Sequence, residues 1–330
     1  MPANLPPQYH AAELAFRRAQ SLAEKIEALE TMMAVVPKHK GTDHLRADLR
    51  ARLAALNREA ERAGGGAARS ALYDVRREGA GQVALVGPPN VGKSRLVGAL
   101  TDADPKVADY PFTTQLPQPA MMPFENVQVQ LVDLPPIVAG ETPGWERAIF
   151  RRADALLLVV DLSADPLADW AAIAAELAAA RVVPHAPDAA VAIGDEALHP
   201  KPALVAAAKA DAPAADVALE LLGMEVDGRL PIMPVSAETG AGLDELRRRV
   251  FAALGVLRVY TKPPGKPVDR ARPFVLRRGA TVDDLADAIH HDLREKLRYG
   301  LLWGASGRFA GQRVGRDHAL EDGDVVELYA

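Results

Sequence analysis

The middle of the chain alternates between short apolar runs and stretches with helical spacing of apolar residues. The apolar runs have the length of buried strands and cover residues 83–86, 127–132, 155–160, 203–207 and 232–235. The helical stretches lie near residues 93–101, 144–152, 166–181, 213–222 and 241–253. Strands that are apolar throughout are typical of parallel sheets covered on both faces. The alternation predicts an α/β segment that binds ligands beyond the carboxyl ends of its strands.

The first 62 residues show helical spacing without strands. Apolar residues recur from Ala11 to Met33 and again from Leu45 to Ala60, and Pro37 and Gly41 interrupt the pattern. This spacing predicts two helices that form a hairpin. The tip of the hairpin carries a basic cluster made of Lys38, His39 and Lys40. The cluster is either a contact surface for a partner or a solvated part of a structural hairpin.

The last 75 residues change pattern again and predict a small mixed α+β module. Its strands are expected at 258–261, 273–276, 301–303 and 325–329, with a helix at 282–290. We therefore expect three domains: a helical hairpin with its linker over residues 1–80, a nucleotide-binding domain over 81–254 and a C-terminal domain over 255–330.

Composition and charge exclude several classes of protein and several kinds of site. The chain of 330 residues has no cysteine, which excludes disulfides, zinc ribbons, iron–sulfur clusters and a thiol nucleophile. Residues 81–254 carry 23 acidic and 13 basic residues, while both flanks are only weakly basic. Such flanks do not by themselves indicate nucleic-acid binding. Because the sequence shows neither a membrane span nor a secretory signal, we expect a cytoplasmic protein.

The segment after the first predicted strand matches the phosphate-binding pattern G-x-x-x-x-G-K-[ST]. It reads Gly87, Pro88, Pro89, Asn90, Val91, Gly92, Lys93 and Ser94. A strand precedes it and a helix opens at Lys93, as the pattern requires. Backbone N–H groups of such a loop bind the β-phosphate, Lys93 neutralises phosphate charge, and the Ser94 hydroxyl binds Mg²⁺.

Two further segments have the spacing of magnesium-sensing switches. The first is Tyr110, Pro111, Phe112, Thr113 and Thr114. The second begins at Asp133, at the end of a predicted strand. The Thr114 hydroxyl would complete the Mg²⁺ shell when γ-phosphate is present, and Asp133 would hold the ion through water. The predicted metal ligands are therefore Ser94, Thr114 and Asp133.

The residues after two later strands predict the choice of base. Asp211 can accept hydrogen bonds from guanine N1–H and the 2-amino group, which adenine does not offer. Lys209 would lie across the base plane. The segment Ser236, Ala237 and Glu238 follows the last strand and would present the Ala237 N–H to guanine O6. Together these residues predict a guanine-nucleotide site.

The middle segment resembles the Obg and DRG (developmentally regulated GTP-binding) branch of the P-loop GTPases, whose first switch also reads Tyr-x-Phe-Thr-Thr. Residues 38–45 resemble the DRG N-terminal region. Residues 258–263, 289–293, 303–304 and 312–315 resemble the DRG C-terminal TGS domain. The resemblance covers nearly the whole chain. It implies an α/β P-loop GTPase fold with an N-terminal α-helical hairpin and a C-terminal ubiquitin-like β-grasp (TGS) domain.

Three departures from the family pattern concern the mechanism. Pro136 stands where the second switch has a glycine whose N–H contacts the γ-phosphate, and proline has no N–H. Ala208 replaces an asparagine that braces the phosphate loop. Ile137 stands where many GTPases keep a water-orienting glutamine. We therefore expect slow hydrolysis, with Lys93, Asn90 and Thr114 as catalytic residues and with K⁺ at Asn90, a position that potassium-stimulated relatives fill with asparagine.

Three functions remain open. The first is a slow GTPase switch that hydrolyses GTP to GDP and phosphate and, as the resemblance implies, engages the ribosome or RNA through its hairpin and TGS domain. The second is a guanine-nucleotide-binding scaffold that does not hydrolyse GTP. The third is an ATPase like the YchF branch, which Asp211 and the position of the hairpin disfavour. We expect neither membrane nor DNA as a partner. A rim of Arg270, Arg272, Arg277 and Arg278 is either an RNA contact or a solvated surface.

Overall fold

The computed structural model describes residues 7–19, 22–36, 42–62, 73, 75–101, 116–138, 142–189, 197–263 and 265–330. The chain divides into two compact units. One comprises Met1–Asp74 with Asp109–Leu116, and the other comprises Val75–Ala108 with Pro117–Ala330. Among the described residues, no helix combines the length and the apolar character that crossing a membrane requires.

Residues 7–62 of the first unit contain, in their described parts, three helices rather than the predicted two. They are α1 (Pro7–Arg18), α2 (Leu22–Val35) and α3 (Asp43–Arg62). The expectation of one helix from Ala11 to Met33 was wrong, because α1 ends at Arg18, α2 begins at Leu22 and the two helices pack against each other. Helical spacing did not reveal the break, since the apolar positions on both sides of it stay in phase. Lys38, His39 and Lys40 lie outside the described residues.

The large sheet of the second unit has seven strands. They are β1 (Gln82–Val86), β2 (Gln118–Phe124), β3 (Val127–Asp133), β4 (Ala155–Asp161), β5 (Val182–His185), β6 (His199–Ala208) and β7 (Ile232–Pro234). The order is β2-β3-β1-β4-β6-β5, and β7 pairs with β6 beyond the end of β5. Among the described strands of this sheet, β2 and β3 pair antiparallel, and the other pairings are parallel.

Helices cover both faces of this sheet, as the apolar runs predicted. They are α4 (Lys93–Leu100), α5 (Gly144–Arg152), α6 (Pro166–Ala179), α7 (Ala215–Val226) and α8 (Leu243–Ala253). Side chains alternate along each strand, so Val83 and Leu85 join a core with α4 and α8. Ala84 and Val86 join the core on the opposite face, with α5, α6 and α7.

Two strands of this sheet were not predicted, and both contain proline. Strand β2 includes Pro119 and Pro123, and β5 includes Pro184. Both strands lie at an end of the sheet order, where a missing N–H donor costs least. Their sequences therefore carry less of the β-branched pattern that identifies the central strands.

The C-terminal module is a five-stranded mixed sheet with two helices. Its elements are β8 (Val256–Thr261), β9 (Phe274–Arg277), α9 (Val282–Ile289), α10 (His291–Lys296), β10 (Tyr299–Trp303), β11 (Gln312–Val314) and β12 (Val325–Tyr329). The strand order is β11-β10-β12-β8-β9, and β8 runs parallel to β12. Helix α9 packs on one face and begins with a capping box of Thr281 and Asp284. This is the β-grasp arrangement that the resemblance implies; β11 and α10 were too short to be predicted.

Arg258 on β8 connects this module to the large sheet. Its guanidinium donates to Asp322 through Nε (3.1 Å) and Nη2 (2.7 Å), and to the carboxylate of Glu125 in the β2–β3 turn. The charge also lies over two stacked rings, 5.6 Å from the centre of Phe124 and 5.2 Å from that of Phe251. The Arg258 side chain is only 9% exposed, so these contacts replace its lost hydration.

The arginines predicted as a basic rim are mostly engaged within the same unit. Arg270 lies over the ring of Tyr260, Arg277 pairs with Asp154 (2.9 Å), and Arg278 pairs with Asp188 (3.4 Å). Both acidic partners belong to the large-sheet domain. Arg277 and Arg278 therefore contribute to the contact between the C-terminal module and the large-sheet domain.

Replacing Arg258 tests whether it stabilises that contact. Arg258→Ala removes the bidentate hydrogen bonds to Asp322 and exposes the stacked rings of Phe124 and Phe251. Loss of charge-assisted hydrogen bonds costs roughly 1.5–3 kcal/mol, and the free energy of unfolding in urea should fall by that amount. The matched control is Arg248→Ala on α8, whose exposed side chain pairs only along its own helix. Equal unfolding free energies for the two variants would contradict this role of Arg258.

Candidate functional site

The carboxyl ends of five strands meet at one edge of the large sheet. Strands β1, β3, β4, β6 and β7 are parallel, so the segment that follows each of them starts at this edge. The segments that carry most of the predicted site residues follow β1, β3, β6 and β7. The parallel topology therefore brings together residues that are far apart in the sequence.

The loop from Gly87 to Gly92 needs glycine at two positions for different reasons. A Cβ on Gly87 would lie 2.6 Å from the carbonyl oxygen of Val159 on the neighbouring strand β4. Gly92 caps α4 with φ 94°, in the left-handed region. Asn90 also has a positive φ of 66° and is exposed at the tip of the loop, a conformation that asparagine tolerates better than most residues.

Lys93 lies inside this loop. It is 7% exposed, and its Nζ donates to the carbonyl oxygens of Gly87 (2.7 Å) and Pro88 (3.1 Å). Burial lowers the pKa of Lys93 to about 8, although nearby carboxylates, Asp133 first among them, act in the opposite direction. An anion bound in the loop would raise this pKa again and stabilise the ammonium form, so the site favours phosphate groups.

Ser94 and Asp133 form the part of the site that suits a metal ion. The Ser94 hydroxyl donates to Oδ2 of Asp133 at 2.5 Å. The other oxygen, Oδ1, is buried and has no hydrogen-bond partner among the described residues. Burial raises the pKa of Asp133, while the Ser94 hydrogen bond and Lys93 lower it. A hydroxyl beside a carboxylate with a spare oxygen fits the ligand preference of Mg²⁺.

The second switch is attached to the phosphate loop through its backbone. The Ile137 N–H donates to the Gly87 carbonyl oxygen at 3.2 Å. The Ile137 side chain is 2% exposed and belongs to the apolar core. Pro136, half-buried beside it, has no N–H to donate. Residues 136 and 137 thus offer neither a free backbone donor nor a polar side chain to a phosphate.

The first switch lies outside the described residues. This applies to Phe112, Thr113 and Thr114 alike, so their roles stay predictions.

The two segments predicted to bind the base are joined to each other. The Ala210 N–H donates to the Val235 carbonyl oxygen at 3.0 Å. The buried Ser236 hydroxyl donates to the exposed Asp211 carboxylate, and this bond is the largest cause of the lowered pKa of Asp211. Asp211 is therefore held ionised, ready to accept hydrogen bonds.

Ser236 also shapes its own turn. Its Oγ accepts from the N–H groups of Glu238 (3.2 Å) and Thr239 (3.1 Å), and Ala237 lies half-buried between them. The Glu238 carboxylate pairs with the Arg95 guanidinium on α4. Ser236, Ala237 and Glu238 therefore adjoin both Asp211 and the helix that begins with Lys93.

Glu146 on α5 is a buried acid that the sequence did not single out. It is 1% exposed, and its Oε1 has no hydrogen-bond partner among the described residues. Burial raises the pKa of Glu146 to about 8, against the opposing effect of Lys93. The sequence does contain a signal for its burial. Glu146 precedes Ile149 by three residues and Phe150 by four, so all three lie on the same buried face of the helix.

Asp161 is the second residue that sequence reasoning missed. It ends β4, and its Oδ2 lies 2.5 Å from Nζ of Lys209. Burial alone would raise the pKa of Asp161, but hydrogen bonds from Lys209 and Ser163 outweigh that effect and hold the pKa below its usual range. The signal in the sequence is a carboxylate at the end of the otherwise apolar strand ALLLVVD.

Comparisons with known proteins agree with this arrangement. A family model described as a 50S ribosome-binding GTPase matches residues 82–186, and the TGS domain model matches residues 257–330. An uncharacterised GTP-binding protein of Halobacterium salinarum is 31% identical and aligns over 94% of this chain and 99% of its own length.

Two eukaryotic relatives align over similar lengths. Developmentally-regulated G-protein 3 of Arabidopsis thaliana is 30% identical over 93% of this chain and 98% of its own. Ribosome-interacting GTPase 1 of Saccharomyces cerevisiae is 30% identical over 92% of this chain and 98% of its own. The chain therefore belongs to the developmentally regulated GTP-binding proteins, P-loop GTPases that carry a C-terminal TGS domain.

Proposed function

We propose that the protein is a guanine-nucleotide switch that binds GTP with Mg²⁺, hydrolyses it slowly to GDP and phosphate, and acts in translation in the cytoplasm. The buried Lys93, held inside the loop that follows β1, is the observation that carries the proposal. We also propose a role for each of the three domains. Residues 81–254 bind the nucleotide, and residues 1–80 and 255–330 contact partners.

The phosphates would bind where Lys93 now donates to backbone carbonyls. Exchanging two neutral acceptors for anionic phosphate oxygens gives the ammonium stronger, charge-assisted hydrogen bonds. Ser94, Asp133 and, from the first switch, Thr114 would hold Mg²⁺, which neutralises the charge of the β- and γ-phosphates. The spare Oδ1 of Asp133 supports this assignment.

Guanine would lie between the segments that follow β6 and β7. Asp211 accepts from N1–H and the 2-amino group, Lys209 covers the base, and the Ala237 N–H donates to O6. The hydrogen bond from Ser236 supports this role, because it lowers the pKa of Asp211 and so favours the ionised carboxylate.

Slow hydrolysis follows from the second switch. Ile137 has no group that orients a water molecule, and its N–H is engaged by Gly87. Pro136 has no donor for the γ-phosphate. We propose that the exposed Asn90 at the loop tip holds K⁺. The charge of the ion would offset part of the negative charge that develops during phosphoryl transfer. Lys93, Asn90 and Thr114 are the residues to which we assign catalysis.

Partner binding is proposed from two sources. One relative is named a ribosome-interacting GTPase, and one matching family model describes ribosome-binding GTPases. The TGS sheet also presents a surface suited to RNA on the face opposite α9, formed by β10, β11 and β12. We call it the aromatic face, and its residues are Lys262, Tyr299, Trp303, Arg313 and Tyr329.

Aromatic rings and cations are paired on the aromatic face. Tyr299 and Tyr329 stack with their ring centres 4.8 Å apart. The Arg313 guanidinium lies 3.9 Å from the centre of Tyr299. Nζ of Lys262 lies 4.5 Å from the centre of Trp303 and also pairs with the buried Glu327 (2.9 Å), so Arg313 is the cation of this face that is offered to phosphate. Rings that stack with bases beside cations that neutralise phosphates are the usual means of binding single-stranded RNA.

Phosphate release from purified protein distinguishes a GTPase from a non-hydrolysing scaffold. We expect slow release with GTP and Mg²⁺, faster in KCl than in NaCl at equal ionic strength. Lys93→Ala should lower the rate about a hundredfold, as loss of a phosphate-stabilising donor does. Asn90→Ala should remove the difference between the two salts.

A rate in the wild type equal to that of Lys93→Ala would leave the scaffold as the function. Pro136→Gly tests the cause of the slow rate, since it restores a backbone donor and should accelerate release. An unchanged rate in this variant would show that the second switch does not limit hydrolysis.

Asp211→Asn tests the assignment of the base. The amide turns an acceptor into a donor, which suits the 2-oxo group of xanthine rather than the 2-amino group of guanine. Binding of GTP should weaken more than tenfold, about 1.4 kcal/mol or more, and binding of xanthosine triphosphate should strengthen, both measured by calorimetric titration. Equal GTP affinity in variant and wild type would remove Asp211 from the site.

The aromatic face can be tested with a short fluorescent single-stranded RNA and with purified ribosomes. Replacing Trp303 and Arg313 by alanine removes a stacking surface and a cation, and the RNA affinity should fall about tenfold or more. Arg248→Ala is the control for loss of a cation elsewhere. Ribosome cosedimentation that persists in the double variant would place the ribosome contact on another surface.

A further inference from the structure

The loop that carries Lys209 and Asp211 begins at the end of β6, where Ala208 stands. Ala208 ends β6 and is buried, and a methyl group forms no hydrogen bonds. Lys209 follows with φ 58°, in the left-handed region that non-glycine residues rarely adopt. Backbone hydrogen bonds such as that from the Ala210 N–H to Val235 hold the main chain of this segment, so the Lys209 side chain needs a partner of its own to be fixed.

Asp161 is directly opposite this segment. Strands β4 and β6 are parallel, and Asp161 is the register partner of Ala208. The Leu162 N–H donates to the Ala208 carbonyl oxygen at 3.0 Å, which fixes the two strand ends to each other. Asp161 thus stands beside the end of β6, which lies one residue before Lys209.

Both oxygens of the Asp161 carboxylate accept hydrogen bonds. Its Oδ1 accepts from the backbone N–H (2.8 Å) and the hydroxyl (2.7 Å) of Ser163, and its own N–H donates to Asp169 at 2.9 Å. That leaves Oδ2 for the Lys209 ammonium, at 2.5 Å. The side chain of Asp161 is 9% exposed and that of Lys209 is 42% exposed, so a fixed, buried anion restrains a cation that would otherwise sample many rotamers.

We propose that Asp161 is a positioning residue for guanine binding: it holds the Lys209 side chain in place across the base. The proposal rests on the nucleotide site proposed above. The carboxylate does not touch the nucleotide. It holds the Lys209 ammonium, so that the aliphatic stem of Lys209 is already in position when the base arrives.

Asp161→Asn keeps the shape of the side chain and removes its charge. We expect the affinities for GDP and for a non-hydrolysable GTP analogue to fall about tenfold each, corresponding to 1.4 kcal/mol. The turnover number at saturating GTP should stay unchanged, because the phosphate side of the site is untouched. Asp244→Asn, at an exposed position on α8, is the matched control and should bind as the wild type does.

A double-mutant cycle separates positioning from a general structural effect. If Asp161 acts through Lys209, then Asp161→Asn should cost nothing further in a Lys209→Met background. Additive losses, or an Asp161→Asn variant that binds both nucleotides as tightly as the wild type, would overturn the proposal. Wild-type protein that binds no guanine nucleotide would instead refute the proposed function.

Folding of each variant is followed by thermal denaturation. If Asp161→Asn does not fold, Asp161→Glu takes its place in the same cycle, since it keeps the charge but moves it by one methylene group. A weaker affinity that is again absent in the Lys209→Met background supports the proposal, and wild-type affinity or an additive loss overturns it.

Discussion

Burial of the Lys93 ammonium is the constraint on which the nucleotide site depends. A buried cation without partners would be too costly to keep, and here two carbonyl oxygens of its own loop accept its hydrogen bonds. Those carbonyls are available only because the loop folds back over Lys93, which requires the left-handed backbone at Gly92 and the close approach of Gly87 to β4. The backbone of the loop and the charge at its end therefore depend on each other.

The same carbonyl explains how the second switch is held. The Gly87 oxygen accepts from both Lys93 and the Ile137 N–H. Isoleucine at 137 adds apolar contact with the core, which strengthens the attachment. A nucleotide that draws Lys93 away would leave Gly87 with a single donor, so the loop and the switch are coupled through one oxygen atom. The buried Glu146, whose charge also interacts with Lys93, belongs to the same electrostatic group.

The features that were predicted have signals within a short, continuous stretch of sequence, whereas most of those that were missed do not. The central strands and the phosphate loop were recognised because their signals are contiguous: apolar runs, and a glycine pattern that ends in Lys93 and Ser94. Strand β2 was missed because prolines hide it, and the break between α1 and α2 because the apolar spacing stays in phase. Asp161 was missed because its partner is 48 residues away, and no local pattern shows which strand ends are neighbours.

The β2–β3 hairpin connects the chemistry of the site to the TGS domain. Strand β3 ends at Asp133, whose carboxylate faces Ser94. At the other end of the hairpin, Asn126 donates to the Tyr260 hydroxyl (2.5 Å) and to the Arg270 carbonyl oxygen (2.9 Å), close to the Arg258 ion pair. Strand β3 has seven residues and is hydrogen-bonded on both sides, to β1 and to β2. A single strand of the sheet therefore lies between the carboxylate that faces Ser94 and the turn that contacts the TGS domain.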